Sequence, residues 1–578
     1  MKLPALYALV LALAPGGLAN AYDERLDITP LTGEHWLVSF DFNLSSAVSH
    51  HHQLFPRVLE GVLASSNASE LHLRFGQGYW DADNWGLTPN NGANVAGTGV
   101  ELWARIAADS YPDAEASWFS LANSLSGMFC ASLNFIDSAH TTSPKSVLGA
   151  FDTNHSLYLF HGSLPSEPVC TENLTPYLKL LPCKGAAGVS SLLDGHHLFE
   201  SQWQSMSIDL SVEDGRLHLR QSIYAVLHVD RTLERRINPV PEPEPYEAVK
   251  CDSSRDYSNP QNGICYPRIP GIGEINVTLS DLFGSPIKNG ACLSKITSKS
   301  PQICLHIPSD NWSVTASDEL SPAIKSVDQI CYVIPPDSDF DLSIHSETRE
   351  SVLPKTPSPI LASRHLVGWG QERGGFHSVY KSTSGDSPVS FVTYEVLPWF
   401  MRVYLHSFTY TLFDSAGAEV ATGSFSASNV SSDIAQLLYY KPAQPRVSPS
   451  HIEMLLTIPA GSKLVTMYQF EKSLLYYNEY PPDANRGFDI SPAIVEVLTD
   501  SSSPRAVFRT TSSLLSLPTP DFSMPYNVII LTSTVIALAF GTIFNLVTRT
   551  FVYAEDLPKQ SLAKKLRAKL SKITSMFS

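Results

Sequence analysis

A long uncharged apolar run near the end of the chain restricts the fold more than any other feature. Residues 527–548, NVIILTSTVIALAFGTIFNLVT, contain no acidic or basic side chain and reach the roughly 20 residues that a helix needs to cross a bilayer. Seven basic and two acidic residues follow in 549–578, whereas the whole chain carries a net charge of −16. The positive-inside rule therefore predicts a type I membrane protein with a basic cytosolic tail. A buried core helix is the alternative explanation.

The N-terminus carries the pattern of a secretory signal peptide. Lys2 precedes an apolar run from Leu3 to Ala14, and Ala19-Asn20-Ala21 is a small-x-small cleavage motif. We expect residues 1–21 to be removed, which leaves a mature N-terminus near Tyr22. A first transmembrane helix is the alternative, but the run is short for about 30 Å of hydrocarbon.

Sequons and cysteines fit a lumenal location for the bulk of the chain. All Asn-x-Ser/Thr sequons and all eight cysteines precede the apolar run. In an oxidising compartment these cysteines should be largely disulfide-bonded, although their spacing does not define the pairs. We predict glycosylation at Asn43, Asn67, Asn154, Asn173, Asn276, Asn311 and Asn429.

About 500 residues between the two apolar segments are too many for one core, so at least two domains are expected. The clearest break is RINPVPEPEPYE at 236–247, where alternating prolines exclude helix. The predicted divisions are a signal peptide (1–21), a β-rich first lumenal domain with helices (22–235), a proline-rich linker (236–260), a second lumenal β-sandwich domain (261–516), a juxtamembrane segment (517–526), a transmembrane helix (527–548) and a basic cytosolic tail (549–578).

Alternation of apolar and polar residues dominates both lumenal domains. It is clear in 35–43, 216–230, 391–398, 401–414 and 463–472, which are rich in β-branched and aromatic residues. This pattern predicts a mainly β protein built from antiparallel β-sandwich domains. In contrast, Trp118, Leu121, Leu125 and Met128 recur near helical spacing, so one or two helices are expected within 99–137.

A search for catalytic motifs finds none. The chain lacks a His-Glu-x-x-His zinc motif, a phosphate loop and a Gly-x-Ser-x-Gly elbow. Two histidine clusters, at 50–52 and 196–197, are more typical of polar loops than of metal sites. Cys130 lies in an apolar stretch and is expected to be structural. We therefore expect no catalytic residue, no metal and no cofactor.

Several unusual strings resemble one known family. GMFCASLNFIDSA at 127–139, VCTENLTPYLKLLPC at 169–183, NRGFDISPA at 485–493, LPTPDFSMPYNV at 517–528 and LVTRTFV at 546–552 look like the PIG-T subunits of the GPI transamidase. This resemblance implies stacked β-sandwiches in a single-pass subunit of an endoplasmic-reticulum complex, which attaches GPI anchors to precursor proteins.

In that family the chemistry belongs to a separate cysteine-protease-like subunit resembling caspases. The resemblance therefore implies a non-catalytic partner that stabilises the catalytic subunit and helps to form the binding site for GPI and precursor. Its partners would be that subunit, the other membrane subunits, the GPI lipid and the precursor proteins, with no nucleic acid. Two alternatives stay open: a self-contained lumenal hydrolase and a cell-surface glycoprotein receptor.

The resemblance also assigns a role to Cys170. In the family, the cysteine of the Cys-Thr-Glu-Asn-Leu-Thr-Pro string forms a disulfide to the catalytic subunit, and Cys170 occupies that position. Cys183 would then pair within its own chain, and Cys130 is the expected partner. A local loop between Cys170 and Cys183 is the alternative. The intermolecular bond leaves seven other cysteines, an odd number.

The segment before the span is expected to bind the GPI head group. Pro518, Pro520 and Pro525 prevent a continuous helix there, so polar side chains are held at head-group depth. Hydroxyl, amide and carboxylate groups suit mannose hydroxyls, phosphates and an ammonium. The predicted GPI-binding residues are Asp521, Ser523 and Asn527, joined by Asn485 from comparison with the family. Helix capping by Asp521 or Ser523 is the alternative.

The tail has helical periodicity of its own. Leu562, Leu566, Leu570 and Ile573 recur beside lysines, which predicts a basic amphipathic helix over 561–577 on the membrane surface. A disordered tail is the alternative.

Overall fold

A computed structural model describes the chain from residue 21 to residue 574, with gaps. The gaps are residues 33, 48–53, 150–156, 214, 230, 233–274, 293–299, 309, 318–319, 336–337, 348–351, 369, 426–431, 482, 499–504, 520–522, 550–552 and 554–561.

Strands dominate the described residues, which confirms the mainly β prediction. They are β1 (Ala21–Pro30), β2 (His35–Ala47), β3 (Ala68–Gly78), β4 (Gly99–Ala107), β5 (Thr141–Thr142), β6 (Leu157–Leu164), β7 (Trp203–Glu213), β8 (Arg216–His228), β9 (Ile275–Thr278), β10 (Gln302–Leu305), β11 (Trp312–Ala316), β12 (Ile324–Lys325), β13 (Ile330–Val333), β14 (Leu342–Ser346), β15 (Ile360–Val367), β16 (Arg373–Ser382), β17 (Val389–Leu397), β18 (Met401–Phe413), β19 (Glu419–Ser424), β20 (Ala435–Lys441), β21 (Ser450–Ile458), β22 (Lys463–Lys472), β23 (Phe488–Ile490), β24 (Ile494–Val497), β25 (Ala506–Arg509) and β26 (Ser513–Leu515).

The helices are α1 (Arg57–Ser66), α2 (Ala82–Trp85), α3 (Tyr111–Phe129), α4 (Thr171–Leu180), α5 (Gly195–Leu198), α6 (Leu279–Phe283), α7 (Ser523–Thr548) and α8 (Leu562–Thr574).

The first core lies against an eleven-stranded sheet of order β12-β13-β10-β1-β2-β8-β7-β3-β4-β6-β5. Strand β1 shows how the sequence specifies it, because Tyr22, Glu24, Leu26 and Ile28 alternate inward while the residues between them are more exposed. A three-stranded sheet, β11-β14-β9, contributes to the same core.

Helix α3 packs on this sheet through one apolar stripe. Trp118, Leu121, Leu125 and Phe129 are buried along it, at the three- and four-residue spacing of a helix face. Ser110 caps the helix by accepting the Asp113 amide. The helix predicted around Trp118 is thus confirmed, but the start of the same predicted region, 99–107, is strand β4.

A second core lies between two five-stranded sheets, β15-β16-β22-β18-β19 and β20-β21-β17-β24-β25. Both sheets are antiparallel and bury residues in this one core, so they form the expected β-sandwich. The small pair β23-β26 packs at its margin.

The boundary between the two cores differs from the expected domain boundary after residue 260. Residues 275–344 contribute to the first core, and the second core begins at Ile360. The reason is a long-range pairing, since β10 adds to β1 in parallel, with Arg25 opposite Gln302.

Buried polar contacts join the two cores. The Thr142 hydroxyl lies 2.5 Å from the Tyr394 hydroxyl, and His161 Nδ1 lies 3.0 Å from the same oxygen. The Lys145 amide donates to Glu453 at 2.7 Å. The described residues up to Pro518 accordingly form one compact unit.

The described residues from Thr519 onward form a separate unit. Within the described residues, one helix is long and apolar enough to cross a membrane, at Tyr526–Thr548, with a mean hydropathy of 2.0. It coincides with the predicted span at 527–548. Helix α8 lies within the predicted tail helix, and Leu562, Leu566 and Leu570 are exposed on it.

Candidate functional site

The Cys170 thiol lies at the start of helix α4, on the surface of the first core. Cys170 is half-buried and forms no disulfide. Its backbone is extended, with φ −147°, directly before the first helical residue. Leu174, Tyr177 and Leu180 are buried along the helix, and they pack into the first core. The packed face therefore fixes the orientation in which α4 presents Cys170.

A buried amide holds Cys170 against the end of helix α3. Asn173 Oδ1 accepts the Cys170 amide at 2.9 Å, and Asn173 Nδ2 donates to the Phe129 carbonyl at 2.9 Å. Glu167 reinforces the contact by accepting the Ser132 amide at 2.8 Å. These bonds satisfy backbone groups that the ends of both helices would otherwise leave unpaired. These bonds therefore fix the main chain at Cys170 relative to the end of helix α3.

A disulfide anchors the chain beyond the other end of α4. Cys183 is bonded to Cys292, so the expected pairing of Cys183 with Cys130 is wrong, and the alternative loop between Cys170 and Cys183 is not formed. A short bridge beside it, where Gly290 donates to the Ala186 carbonyl at 3.1 Å, holds the two segments together. The first core therefore fixes the α4 segment on both sides.

Cys130 differs from its expected structural role. It is exposed and forms no disulfide, and it ends helix α3 in a left-handed conformation with φ 52°. The expectation that Cys130 is a structural cysteine in apolar surroundings is therefore wrong. Phe129 takes the inward position, and the helix end turns Cys130 outward. The remaining described pair is Cys304–Cys331, while Cys251 and Cys265 lie outside the described residues.

The predicted glycosylation sites have contrasting environments. Asn43, Asn67, Asn276 and Asn311 are exposed, whereas Asn173 is 1% exposed. The Asn173 amide nitrogen, which would carry a glycan, donates to the Phe129 carbonyl instead. In the folded chain this nitrogen is inaccessible. Asn154 and Asn429 lie outside the described residues.

Asn485 is exposed in a turn at the margin of the second core. The Arg486 amide donates to the Asp483 carbonyl at 3.3 Å and closes the turn. Strand β23 follows the turn and pairs with β26, and the Tyr480 hydroxyl donates to the Pro518 carbonyl. Asn485 therefore lies on the part of the compact unit from which the chain continues to residue 519.

The other predicted GPI-binding residues belong to the C-terminal unit. Ser523 is the first residue of helix α7, and Asn527 is exposed one turn later. Asp521 lies outside the described residues.

The histidine clusters form no metal site in the described part of the chain. There, no group of three or more His, Cys, Asp or Glu side chains is placed to hold an ion. His196 and His197 lie on the short helix α5, and 50–52 falls outside the described residues.

Sequence reasoning missed the residues that position Cys170. In the sequence, Asn173 stands out only as part of a sequon, Glu167 belongs to no motif, and Cys292 is one of eight cysteines whose spacing does not define the pairs. No local pattern reveals Cys292, because it pairs with Cys183 across 109 residues. The Asn at the third position of a helix after Cys170 is a local signal of capping that a sequence alone carries.

Comparison with known proteins identifies the family of the chain. Residues 6–574 match the family described as Gpi16 subunit, GPI transamidase component. The chain is 40% identical to GPI transamidase component GPI16 of Saccharomyces cerevisiae, covering 96% of this chain and 93% of that protein. It is 35% identical to the GPI transamidase component PIG-T homolog of Schizosaccharomyces pombe, covering 95% and 93%.

The similarity extends to animals. Identity to the GPI-anchor transamidase component PIGT of Homo sapiens is 31%, over 98% of this chain and 97% of that protein. The alignments extend through both cores and the apolar C-terminal helix. The chain therefore belongs to the Gpi16 (PIG-T) family of GPI transamidase components.

Proposed function

We propose that this chain is a non-catalytic subunit that holds the cysteine-protease-like subunit of the transamidase through a disulfide from Cys170. The observation that carries the proposal is the contrast between two cysteines of one segment. Cys183 is bonded within the chain, whereas Cys170 has no partner among the described residues and is held at the surface.

The surroundings of Cys170 suit a tether better than a nucleophile. A catalytic thiol needs an adjacent base to activate it. Within the described residues, no histidine hydrogen-bonds to Cys170 or to Cys130. A tether needs a rigid support instead, since it strengthens an interface by raising the effective concentration of the partner. Asn173 and the Cys183–Cys292 disulfide supply that support.

The odd cysteine count no longer opposes this role. Cys130 is unpaired and exposed, so an external bond from Cys170 leaves Cys130 as a free thiol.

The same proposal assigns the orientation and the lipid-binding role. Helix α7 spans the endoplasmic-reticulum membrane, the compact unit lies in the lumen and α8 lies in the cytosol. Asp521, Ser523 and Asn527 bind the GPI head group at the lumenal boundary, and Asn485 is proposed as a further contact. The other membrane subunits and the precursor proteins are the remaining partners.

A gel of microsomal protein run with and without reductant tests the tether. Wild-type protein should give a reductant-sensitive band that contains the cysteine-protease-like subunit. Cys170→Ser should abolish this band. Cys130→Ser is the matched control, because it removes the other unpaired thiol and should leave the band unchanged.

The opposite results would contradict the proposal. A band that persists in Cys170→Ser and disappears in Cys130→Ser would show that the tether is formed by Cys130 and not by Cys170. Wild-type protein that runs as a monomer without reductant, while anchors are still attached, would remove the covalent tether altogether.

A further inference from the structure

A cavity of about 460 Å³ lies where the first core meets the second. Four stretches of consecutive residues border it: 77–80, 95–98, 360–363 and 507–511. Residues 360–363 lie within β15, and consecutive strand residues border one cavity partly through the main chain, because their side chains point to opposite faces. The walls of this cavity therefore present backbone as well as side chains.

Strand β15 presents an open edge to this cavity. It is the terminal strand of its sheet, paired only with β16 among the described strands. The Thr383 amide donates to the Pro359 carbonyl at 3.2 Å, on the β15 side, whereas the Ser382 amide donates to the Ser462 carbonyl at 2.9 Å, on the opposite side. In an antiparallel pair, every second residue bonds to the partner strand. Leu361, two residues after Pro359, therefore bonds to Lys381, and the N–H and C=O of Ala362 point away from β16.

The neighbouring edge strand β25 is covered instead. Its outward carbonyl at Val507 is in close contact with Gly92, and Arg509 Nη1 donates to the Gly92 carbonyl at 3.5 Å. Gly92 has φ 76°, and its lack of a side chain permits the approach. Exposed edges favour unwanted pairing, and proteins usually cover them. In β15 the Ile360 carbonyl accepts the Ser358 hydroxyl at 2.7 Å, whereas the outward N–H and C=O of Ala362 have no main-chain partner among the described residues.

Part of the cavity wall outside β15 is aromatic. Tyr79 is 60% exposed there, and Trp80 packs edge-on against Trp203 with ring centroids 4.8 Å apart. Leu361 of β15 and Val379 of β16 add apolar surface to the cavity, and Lys381, which also borders it, is exposed. The cavity thus combines main-chain bonding groups with an apolar wall.

We propose that this cavity binds an extended segment of the precursor protein, which adds as a strand to the edge of β15 at Ala362. The proposal rests on the proposed function of the chain as a transamidase subunit. In strand addition, main-chain hydrogen bonds supply affinity that does not depend on the side chains of the added strand. Such binding suits a subunit that serves many precursors. The aromatic wall favours an apolar residue at one position of the precursor segment.

The size of the cavity favours a short extended segment over a folded subunit. Its volume lies within the roughly 300–1,000 Å³ of sites for small ligands. A stable subunit interface covers about 800 Å² on each partner and is not confined to such a cavity.

Photocrosslinking in microsomes tests the proposal within the intact complex. Tyr79 is replaced by p-benzoylphenylalanine, and a radiolabelled model precursor with a C-terminal GPI signal is translated into the microsomes. We expect an adduct of this chain with the precursor. The matched control replaces Tyr111, which is 44% exposed and does not border the cavity, and should give no adduct.

A proline at the edge then tests the strand addition itself. Ala362→Pro removes the outward N–H and should lower the adduct yield about fivefold, the value of one net hydrogen bond. Thr422→Pro is the control at β19, the other edge of the same sheet, and should leave the yield unchanged.

Anchor attachment to the precursor is measured in the same samples. Attachment at the wild-type level without a Tyr79 adduct would overturn the peptide site and leave the proposed function standing. An adduct to a resident subunit in place of the precursor would also overturn it, because the cavity would then belong to an interface. Normal attachment in microsomes depleted of this chain would instead overturn the proposed function.

Discussion

Glu101 and Arg509, 408 residues apart in the sequence, form a buried two-point ion pair between the two cores. Arg509 Nε donates to Glu101 Oε2 at 2.7 Å and Nη2 donates to Oε1 at 3.1 Å. Their side chains are only 8% and 4% exposed. Burial alone would raise the pKa of Glu101, but Arg509 and His161 hold it well below its ordinary value. The carboxylate is therefore charged at neutral pH, and the pair fixes β4 to β25.

Removing one partner of this pair should strongly destabilise the compact unit. Glu101→Gln leaves the Arg509 charge buried and uncompensated, so the free energy of unfolding should fall by about 3–5 kcal/mol. Thermal unfolding of the purified protein measures the change. Arg402→Gln removes one partner of an exposed pair, with Glu471 at 3.6 Å, and should change stability by less than about 1 kcal/mol.

Replacing both partners provides the second comparison. A Glu101→Leu, Arg509→Leu double variant removes both charges and should recover part of the loss. If Glu101→Gln unfolds at the same temperature as Arg402→Gln, the pair is not what joins the two cores.

The pKa of Glu24 is shifted upward, opposite to the shift of Glu101, and this shift predicts that stability depends on pH. Burial raises its pKa to about 7 from the ordinary 4.5, while bonds from the Tyr22 hydroxyl and the Val189 amide act to lower it. Between these two pH values the folded chain keeps a proton that the unfolded chain has lost. The contribution of Glu24 to the free energy of unfolding therefore falls as pH rises from about 4.5 to about 7, and is constant above that range.

Glu24→Gln should remove this slope. The loss across the window is about 3 kcal/mol, at about 1.4 kcal/mol per pKa unit. Urea unfolding at pH 5, 6, 7 and 8 measures it: the variant should be more stable than wild type at pH 8 and close to it at pH 5. Glu372→Gln, at an exposed position, should keep the wild-type slope. Equal slopes in the Glu24 variant and wild type would contradict this assignment.

Long, clearly periodic segments could be predicted from the sequence. Helix α3 was predictable from the spacing around Trp118, and the C-terminal helix from its length and lack of charge. Strand β4 was missed because Trp103 interrupts the alternation of its apolar residues with Glu101 and Arg105, and because the strand is buried on both faces. In that case periodicity does not separate strand from buried helix.

Features set by distant parts of the chain could not be predicted. The parallel addition of β10 to β1 moves residues 275–344 into the first core, and no local pattern encodes that pairing. The Cys183–Cys292 bond depends on the same long-range arrangement. Around the candidate site, the sequence identified Cys170 through family resemblance, whereas the supporting contacts of Asn173 and Glu167 needed the structure.

The burial of Asn173 predicts selective glycosylation. Asn43, Asn67, Asn276 and Asn311 are exposed and should be occupied in the proposed lumenal orientation. Asn173 should be unmodified in assembled protein, because a glycan on its Nδ2 would displace the bond to Phe129. Enzymatic deglycosylation in heavy-oxygen water, followed by mass spectrometry of the peptides, reports each site.

A related substitution separates the structural role of Asn173 from its sequon. Thr175→Ala destroys the sequon and keeps the Asn173 amide, so the disulfide-linked band should persist. Asn173→Ala leaves the Cys170 amide and the Phe129 carbonyl unpaired, at a cost of about 1–3 kcal/mol each, and should weaken the band. Equal loss in both variants would indicate that the glycan, not the buried amide, supports the tether.

The residues at the start of the C-terminal helix predict a defect in lipid handling without a defect in assembly. Asp521→Ala with Asn527→Ala removes a carboxylate and an amide that are proposed to pair with the ammonium and hydroxyl groups of the GPI head. The apolar span Tyr526–Thr548 loses only its first amide and should still insert. Recovery of the complex should therefore be unchanged, while the amount of GPI-anchored protein at the cell surface falls severalfold.

Asn545→Ala, at the other end of the same helix, is the matched control and should leave anchoring at the wild-type level. Anchored protein at the wild-type level in the double variant would show that these two side chains do not bind the GPI head group. Helix capping, the alternative role, would then account for them.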